Sequence, residues 1–297
     1  MPEGDTVWRT AQHLHRVLAG LRLTASDFRV PTLATKDVSG YQTVEVVSRG
    51  KHLLHRLDHD GHSLTLHSHL RMDGSWRLTP NTRIREASLR RHTVRAVLAT
   101  EHWTAVGTSL GMLDLVRTTE EALLVGHLGP DVLASAWDLE AALTNLCQAP
   151  QEPLGAALLD QRNIAGIGTI YASESLFLQR QSPWTPVGEL AGSQLAAVVA
   201  RARKLMHRSV AAGAPNTTGS TRRDERTWVH GRSGQPCRRC TTTVRVAMIG
   251  LAPHQRTMFY CPRCQGGLAP TDDGTAQAPL GSRRRRTRGS RHDATSG

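Results

Sequence analysis

The sequence predicts an α+β protein of two domains: an N-terminal antiparallel β-sandwich led by a helix, then a helical domain that ends in a four-cysteine β-hairpin. Three observations predict it. Short alternating β-rich runs such as TVEVVSRG, HLLHRLD, SLTLHSHL and GSWRLT fill about 21–118, separated by Gly, Asp and Asn turn signals. The pattern then lengthens to helical segments over 137–211, among them WDLEAALTNLCQ and GSQLAAVVARARKLMHRSV. Finally, Cys237-Arg-Arg-Cys240 and Cys261-Pro-Arg-Cys264 stand twenty residues apart.

In chain order, residues 5–20 read as a helix, with Val7, Ala11, Leu14, Leu18 and Leu21 at helical spacing and Asp5 or Thr6 as the expected N-cap. The sandwich gives way at the Gly- and Pro-marked GHLGPDVL (126–133). Around 158–175, LLDQRNIAGIGTIYASES reads as a helix, a Gly-rich double turn and a second helix that Thr169 opens. The free amides of such an opening suit an anion. Cys147, next to Leu146 on a helix, reads as a small core residue. The divisions expected are 1–120 for the β-sandwich, 121–135 for a linker, 136–230 for the helical domain, 231–266 for the cysteine module and 267–297 for a disordered basic tail.

Each CxxC turn aims two sulfurs at one metal, so Cys237, Cys240, Cys261 and Cys264 form a four-thiolate zinc signature. Four protein ligands leave no open coordination position, which makes the expected zinc structural. The chain between the pairs reads as a hairpin turning near 252–255. This module carries six Arg and no acid, and the tail adds six Arg against three Asp, out of a formal charge of +12. Basic charge gathered in one small module points to a polyanion, with nucleic acid first. Lysine is scarce, at Lys36, Lys51 and Lys204, which draws notice to Lys51 in SRGKHLL. No apolar run approaches the ~18 residues of a membrane-spanning helix. The N-terminus lacks a basic-then-apolar leader, so the expected location is the cytoplasm, beside the nucleoid. His67 and His69 share one strand face, but hydrogen-bonded histidines are the expectation there rather than a second metal site.

Pro2 and Glu3 place a candidate nucleophile at the start of the chain. Once Met1 is removed, Pro2 carries a secondary amine that can attack a sugar C1′ and collapse to an iminium. An α-amino group titrates near pH ~8, so part of it is neutral and nucleophilic at physiological pH. Glu3 adds an acid/base beside it.

PEGDTV at the N-terminus, GKHL around Lys51, HLRMDGSWR (69–77), HLGPDVL (127–133), LLDQRNIAGIGTIYASE (158–174) and RTMFYCPRCQ (256–265) occur in this order. With these motifs the chain closely resembles the formamidopyrimidine-DNA glycosylase/endonuclease VIII family of base-excision repair enzymes, over about 2–266. The resemblance implies a helix–two-turn–helix element at GIGT and a bifunctional DNA glycosylase and AP lyase acting as a monomer on double-stranded DNA that contains damaged bases or abasic sites. It makes Pro2 the Schiff-base nucleophile and Glu3 the general acid. Lys51 and Arg256 become phosphate grips at the lesion, Met72 the apolar wedge behind the flipped base, and Arg71, His127 and Thr169 further DNA contacts. Two departures stand out. Thr169, a shorter donor to a phosphate, replaces the family's usual Asn, and the Arg-Arg-Phe segment of the formamidopyrimidine branch is missing from TAVGTSLGMLDL. With PEGDT at the start, that missing segment favours the endonuclease VIII branch and oxidised pyrimidines. The alternatives are an oxidised-purine enzyme and a non-catalytic damaged-DNA-binding protein on the same scaffold.

Overall fold

Helix α1 (Gly4–Leu18) turns Val7, Ala11, Leu14 and Leu18 onto the first core, the stripe that the 3.6-residue period requires. In this computed structural model, which describes residues 2–279, eight strands follow α1. They are β1 (Ala25–Phe28), β2 (Gln42–Arg49), β3 (His52–His59), β4 (His62–His69), β5 (Ser75–Pro80), β6 (Val94–Ala99), β7 (Trp103–Thr108) and β8 (Met112–Arg117). They form two antiparallel sheets, ordered β1-β6-β7-β5 and β2-β3-β4-β8. Alternation sends Leu53 and Leu57 of β3, Leu66 of β4 and Leu113 of β8 into the core they share with Ala96, Leu98 and Ala105 of the other sheet. A short helix α2 (Glu86–Leu89) crosses outside β5–β7, and α3 (Ala122–Val125) begins the link between the domains.

The second core collects α4 (Leu139–Cys147), α5 (Leu154–Leu159), α6 (Thr169–Leu178) and α7 (Gly192–Ala211). Helix α6 lies at its centre and is buried on every side from Thr169 to Phe177. Strands β9 (Arg245–Ile249) and β10 (Arg256–Tyr260) make the cysteine hairpin, which packs Met258 and Ile249 onto this same core.

Three sequence expectations change. Glu3, not Asp5 or Thr6, is the N-cap residue of α1, and Asp5 is buried within the first turn, 3.3 Å from Arg9. Cys147 is exposed: Ala142 and Leu146 take the core side of α4, and the next residue points about 100° away. Residues 267–279 belong to the folded module rather than to a loose arm. Asp272 binds Arg245 and accepts from the Tyr260 hydroxyl, and Gln277 Nε2 donates to the Val246 carbonyl at 2.9 Å. The Arg-rich run at 283–288 and Met1 lie outside the described residues.

Candidate active site

The chain's first residues dock on the Gly-rich double turn. Gly4 N donates to the Gly166 carbonyl at 3.0 Å, and Glu3 Oε1 accepts from Ile170 N at 2.8 Å. Glycine is required here. A Cβ on Gly168 would lie 2.3 Å from Glu3 Cδ, and Gly166 has a φ of +103°. The amides that open α6 therefore face a carboxylate of this same chain, and Thr169 beside them is 5% exposed. The GIG turn is a seat for Glu3 before it is anything else.

Glu3 itself is fully buried, and its Oε2 has no hydrogen-bond partner among the described residues. Burial pushes its carboxyl up to about 7, against the pull of Lys51 and of the α6 amides. Lys51 forms the turn between β2 and β3. Burial lowers its ammonium to about 8, Glu3 opposes that drop, and the charge of Arg256 adds to it. One residue each from α1's cap, a β-sheet turn and the cysteine hairpin thus share one electrostatic neighbourhood. Pro2 precedes Glu3 and is partly buried.

The Lys51 turn is held from the helical side. Gly50 N donates to Asp131 Oδ2 at 2.7 Å, and Arg49 donates to the carbonyls of Leu128 and Gly129. A Cβ on Gly50, whose φ is +59°, would meet Ala165 Cβ at 2.9 Å. Asp131 also accepts from Leu133 N at 2.9 Å, so one carboxylate fastens the linker and aims the turn.

Next to Lys51, three histidines and an aspartate line the outer face of the β2-β3-β4-β8 sheet. His52 Nδ1 and His67 Nε2 are 2.8 Å apart, and His67 Nδ1 lies 2.9 Å from Asp114 Oδ2. Both ring nitrogens of His67 are occupied, which leaves none for a metal. Burial first, then neighbouring His69, lowers His52 to about 3. His127 is exposed, with its ring 6.2 Å from that of His52.

The remaining expected contacts lie on the rim. Met72 is 61% exposed in the loop between β4 and β5, and Arg71 takes a φ of +50° to turn that loop, with its side chain packed over Gly111. Arg256 is exposed at the start of β10, its guanidinium 3.3 Å from the carbonyls of His254 and Gln255. The ligand atoms of Cys237, Cys240, Cys261 and Cys264 lie within 4.8 Å of one another. A tetrahedral zinc with Zn–S ≈ 2.3 Å needs sulfurs about 3.8 Å apart, so the set fits that ion after shifts of about an ångström or less.

Sequence reasoning missed Asp131, Asp114 and Glu174. Glu174 is buried on α6 and accepts from Trp228 N at 2.8 Å, Val229 N at 2.7 Å, His230 N at 2.8 Å and the Thr217 hydroxyl. It thereby ties the 212–230 segment, and the hairpin behind it, to the helical core.

Comparison with known proteins gives the same outline. The model for the formamidopyrimidine-DNA glycosylase N-terminal domain matches residues 1–114, and that for the formamidopyrimidine-DNA glycosylase H2TH domain matches 128–221. A Streptomyces coelicolor protein named "Probable endonuclease 8 2" is 49% identical, over 92% of this chain and 97% of its own. "DNA-(apurinic or apyrimidinic site) lyase Nei2" of Mycolicibacterium smegmatis is 41% identical over 89% and 99%. Among solved structures, Lactococcus lactis formamidopyrimidine-DNA glycosylase complexed with an N7-benzyl-Fapy-dG DNA superposes with a TM-score of 0.73. That match covers 89% of this chain and 100% of the other, at 21% identity.

Proposed function

The chain belongs to the formamidopyrimidine-DNA glycosylase/endonuclease VIII family of base-excision DNA glycosylases and AP lyases, and from that premise we propose that it removes oxidised pyrimidines from duplex DNA through a Schiff base on Pro2. The observation that carries the reading is the state of Glu3. A fully buried carboxyl seated on Ile170 N, with its other oxygen unpartnered among the described residues and its proton favoured by burial up to about 7, is suited to act as a general acid for chemistry at the neighbouring residue Pro2.

In this reading the Pro2 nitrogen attacks C1′ and the bond to the base breaks, with Glu3 giving its proton to the departing base or to the ring oxygen. The amine loses its own proton and the sugar opens to an iminium. That cation acidifies the C2′ proton, whose removal expels the 3′ phosphate and nicks the strand. Lys51 and Arg256 hold the flanking phosphates, and their charge offsets the charge on the leaving phosphate. Met72 fills the stack behind the extruded nucleotide, a step that costs a few kcal/mol. Arg71 and His127 extend the DNA contact along the rim, and Thr169 supports it only through the turn that seats Glu3. Cys237, Cys240, Cys261 and Cys264 would hold one structural zinc, which fixes the hairpin that presents Arg256.

The pyrimidine preference is supported by PEGDT at the start of the chain, by the missing Arg-Arg-Phe segment and by relatives named endonuclease 8. Oxidised pyrimidines stack poorly, so less protein contact is needed to extrude them. Single-turnover excision from duplexes carrying thymine glycol, dihydrouracil, 8-oxoguanine opposite cytosine, or an abasic site tests it. Both pyrimidines should leave faster than 8-oxoguanine. The reverse order assigns the chain to oxidised purines. A borohydride-trapped adduct should map to Pro2, whereas tight binding of damaged DNA with no adduct leaves a binding protein.

A further inference from the structure

The outer face of the β1-β6-β7-β5 sheet carries a cleft of about 370 Å³ that the catalytic reading does not use. Alternation along β5 turns Trp76 and Leu78 inward and leaves Arg77 on the outer face, where the chain over 83–91 crosses in front of it. The lining holds four arginines (Arg77, Arg83, Arg85 and Arg91), four hydroxyl side chains, two apolar side chains and no carboxylate. None of these four guanidiniums has a hydrogen bond or ion pair among the described residues. Glu86, inside the crossing segment, is taken by Arg90 at 2.7 Å. Elsewhere Arg29, Arg56, Arg162 and Arg245 each hold a carboxylate, so the cleft is unlike those sites.

We propose that this cleft is a second phosphate-binding site, and that it takes the sugar–phosphate backbone of the duplex engaged at the active site. The inference rests on the reading that DNA is held at the Met72 loop. Guanidinium forks match pairs of phosphate oxygens, and hydroxyls add neutral donors for the remaining lone pairs. Four like charges around one concave surface, with no acid among them, raise a local potential that gathers polyanions. Location selects DNA over a small free anion. Strand β5 starts directly after the loop that exposes Met72, and at ~3.3 Å per residue Arg77 stands about 10 Å from that loop's end. The cleft therefore lies within one helical diameter of the loop on which the proposed DNA contact depends, close enough for a backbone held there to reach it.

The test is the full-length quadruple variant R77Q/R83Q/R85Q/R91Q, with the pairs R77Q/R91Q and R83Q/R85Q as folding controls. Binding to an undamaged duplex of roughly 40 base pairs is followed from about 50 to 200 mM salt. The slope of log affinity against log salt should become shallower by about 2–3, with roughly half of that change in each pair. Affinity should fall about tenfold or more at the low-salt end, while single-turnover excision from saturated damaged duplex stays at the wild-type rate. An unchanged slope in a folded quadruple variant overturns the proposal. So does a variant that loses inorganic-phosphate binding yet keeps the wild-type DNA slope, because the cleft then serves a free anion. The slope reads the cleft even in a protein that excises nothing, so failure here and failure of the enzymatic reading are told apart.

Discussion

Helix α6 is flanked by two buried glutamates that are treated in opposite ways. At its middle, Glu174 spends its carboxylate on four donors from 217 and 228–230. At its first turn, Glu3 accepts from Ile170 N and keeps Oε2 without a hydrogen-bond partner among the described residues. Burial raises the carboxyl above the ordinary range in both cases, but only Glu174 is compensated by donors on every side. A buried polar group that is fully partnered holds a fold together. One left half-partnered beside Pro2 and Lys51 costs stability, and that cost is the usual mark of a working site.

The largest effect should come from the satisfied glutamate. Glu174→Leu strips four donors of their partner at ~1–3 kcal/mol each, enough to detach the 212–230 segment and the hairpin. Thermal unfolding with zinc analysis should find the variant unfolded, or short of metal. A variant that melts like wild type would break the contrast.

Glu3→Gln should behave in the opposite way. The amide oxygen can still accept from Ile170 N, and the charge that burial disfavours is gone. Because the folded carboxyl is raised, Glu3's favourable contribution is complete below about 4.5 and is lost as pH climbs through about 7. Above that point the variant should be the more stable protein, by up to about 3 kcal/mol. Base excision should nonetheless fall by about 10²–10⁴-fold, the usual worth of a positioned acid, with abasic-site cleavage affected less. Denaturant unfolding at pH 8 and single-turnover rates check both halves.

Arg256 sharpens the comparison from the exposed side. Among the described residues its guanidinium bonds only two backbone carbonyls, so Arg256→Ala should leave melting and zinc content unchanged. DNA binding should lose about 0.9 from its salt slope, the worth of one phosphate contact. A normal slope would remove Arg256 from the grip.

Much of this was readable in the sequence because it depends on local spacing. The α1 stripe, the β2–β3–β4 hairpins, the double glycine turn and the paired CxxC motifs each lie within a few residues of themselves. Long-range partners were not readable. Glu174 meets backbone amides more than fifty residues away, which leave no side-chain signature. His67 reaches Asp114 only because β8 pairs with β4 in a register that puts them opposite. Asp131 appeared within HLGPDVL, but its role needs the Gly50 amide from the other domain. Residues 267–279 read as polar and loose because their anchors, Asp272 and Gln277, bind a strand rather than build a core of their own.

The central claim, that burial keeps a working fraction of Glu3 protonated near neutral pH for the departing base, is tested most directly by the pH dependence of single-turnover base excision in wild type and Glu3→Gln. The wild-type rate should fall tenfold per unit above about 7. In Glu3→Gln that limb should vanish, leaving only the weaker loss near 8 as Lys51 gives up its charge. A wild-type limb at the ordinary carboxylate value, or the same limb near 7 in both proteins, would contradict the account.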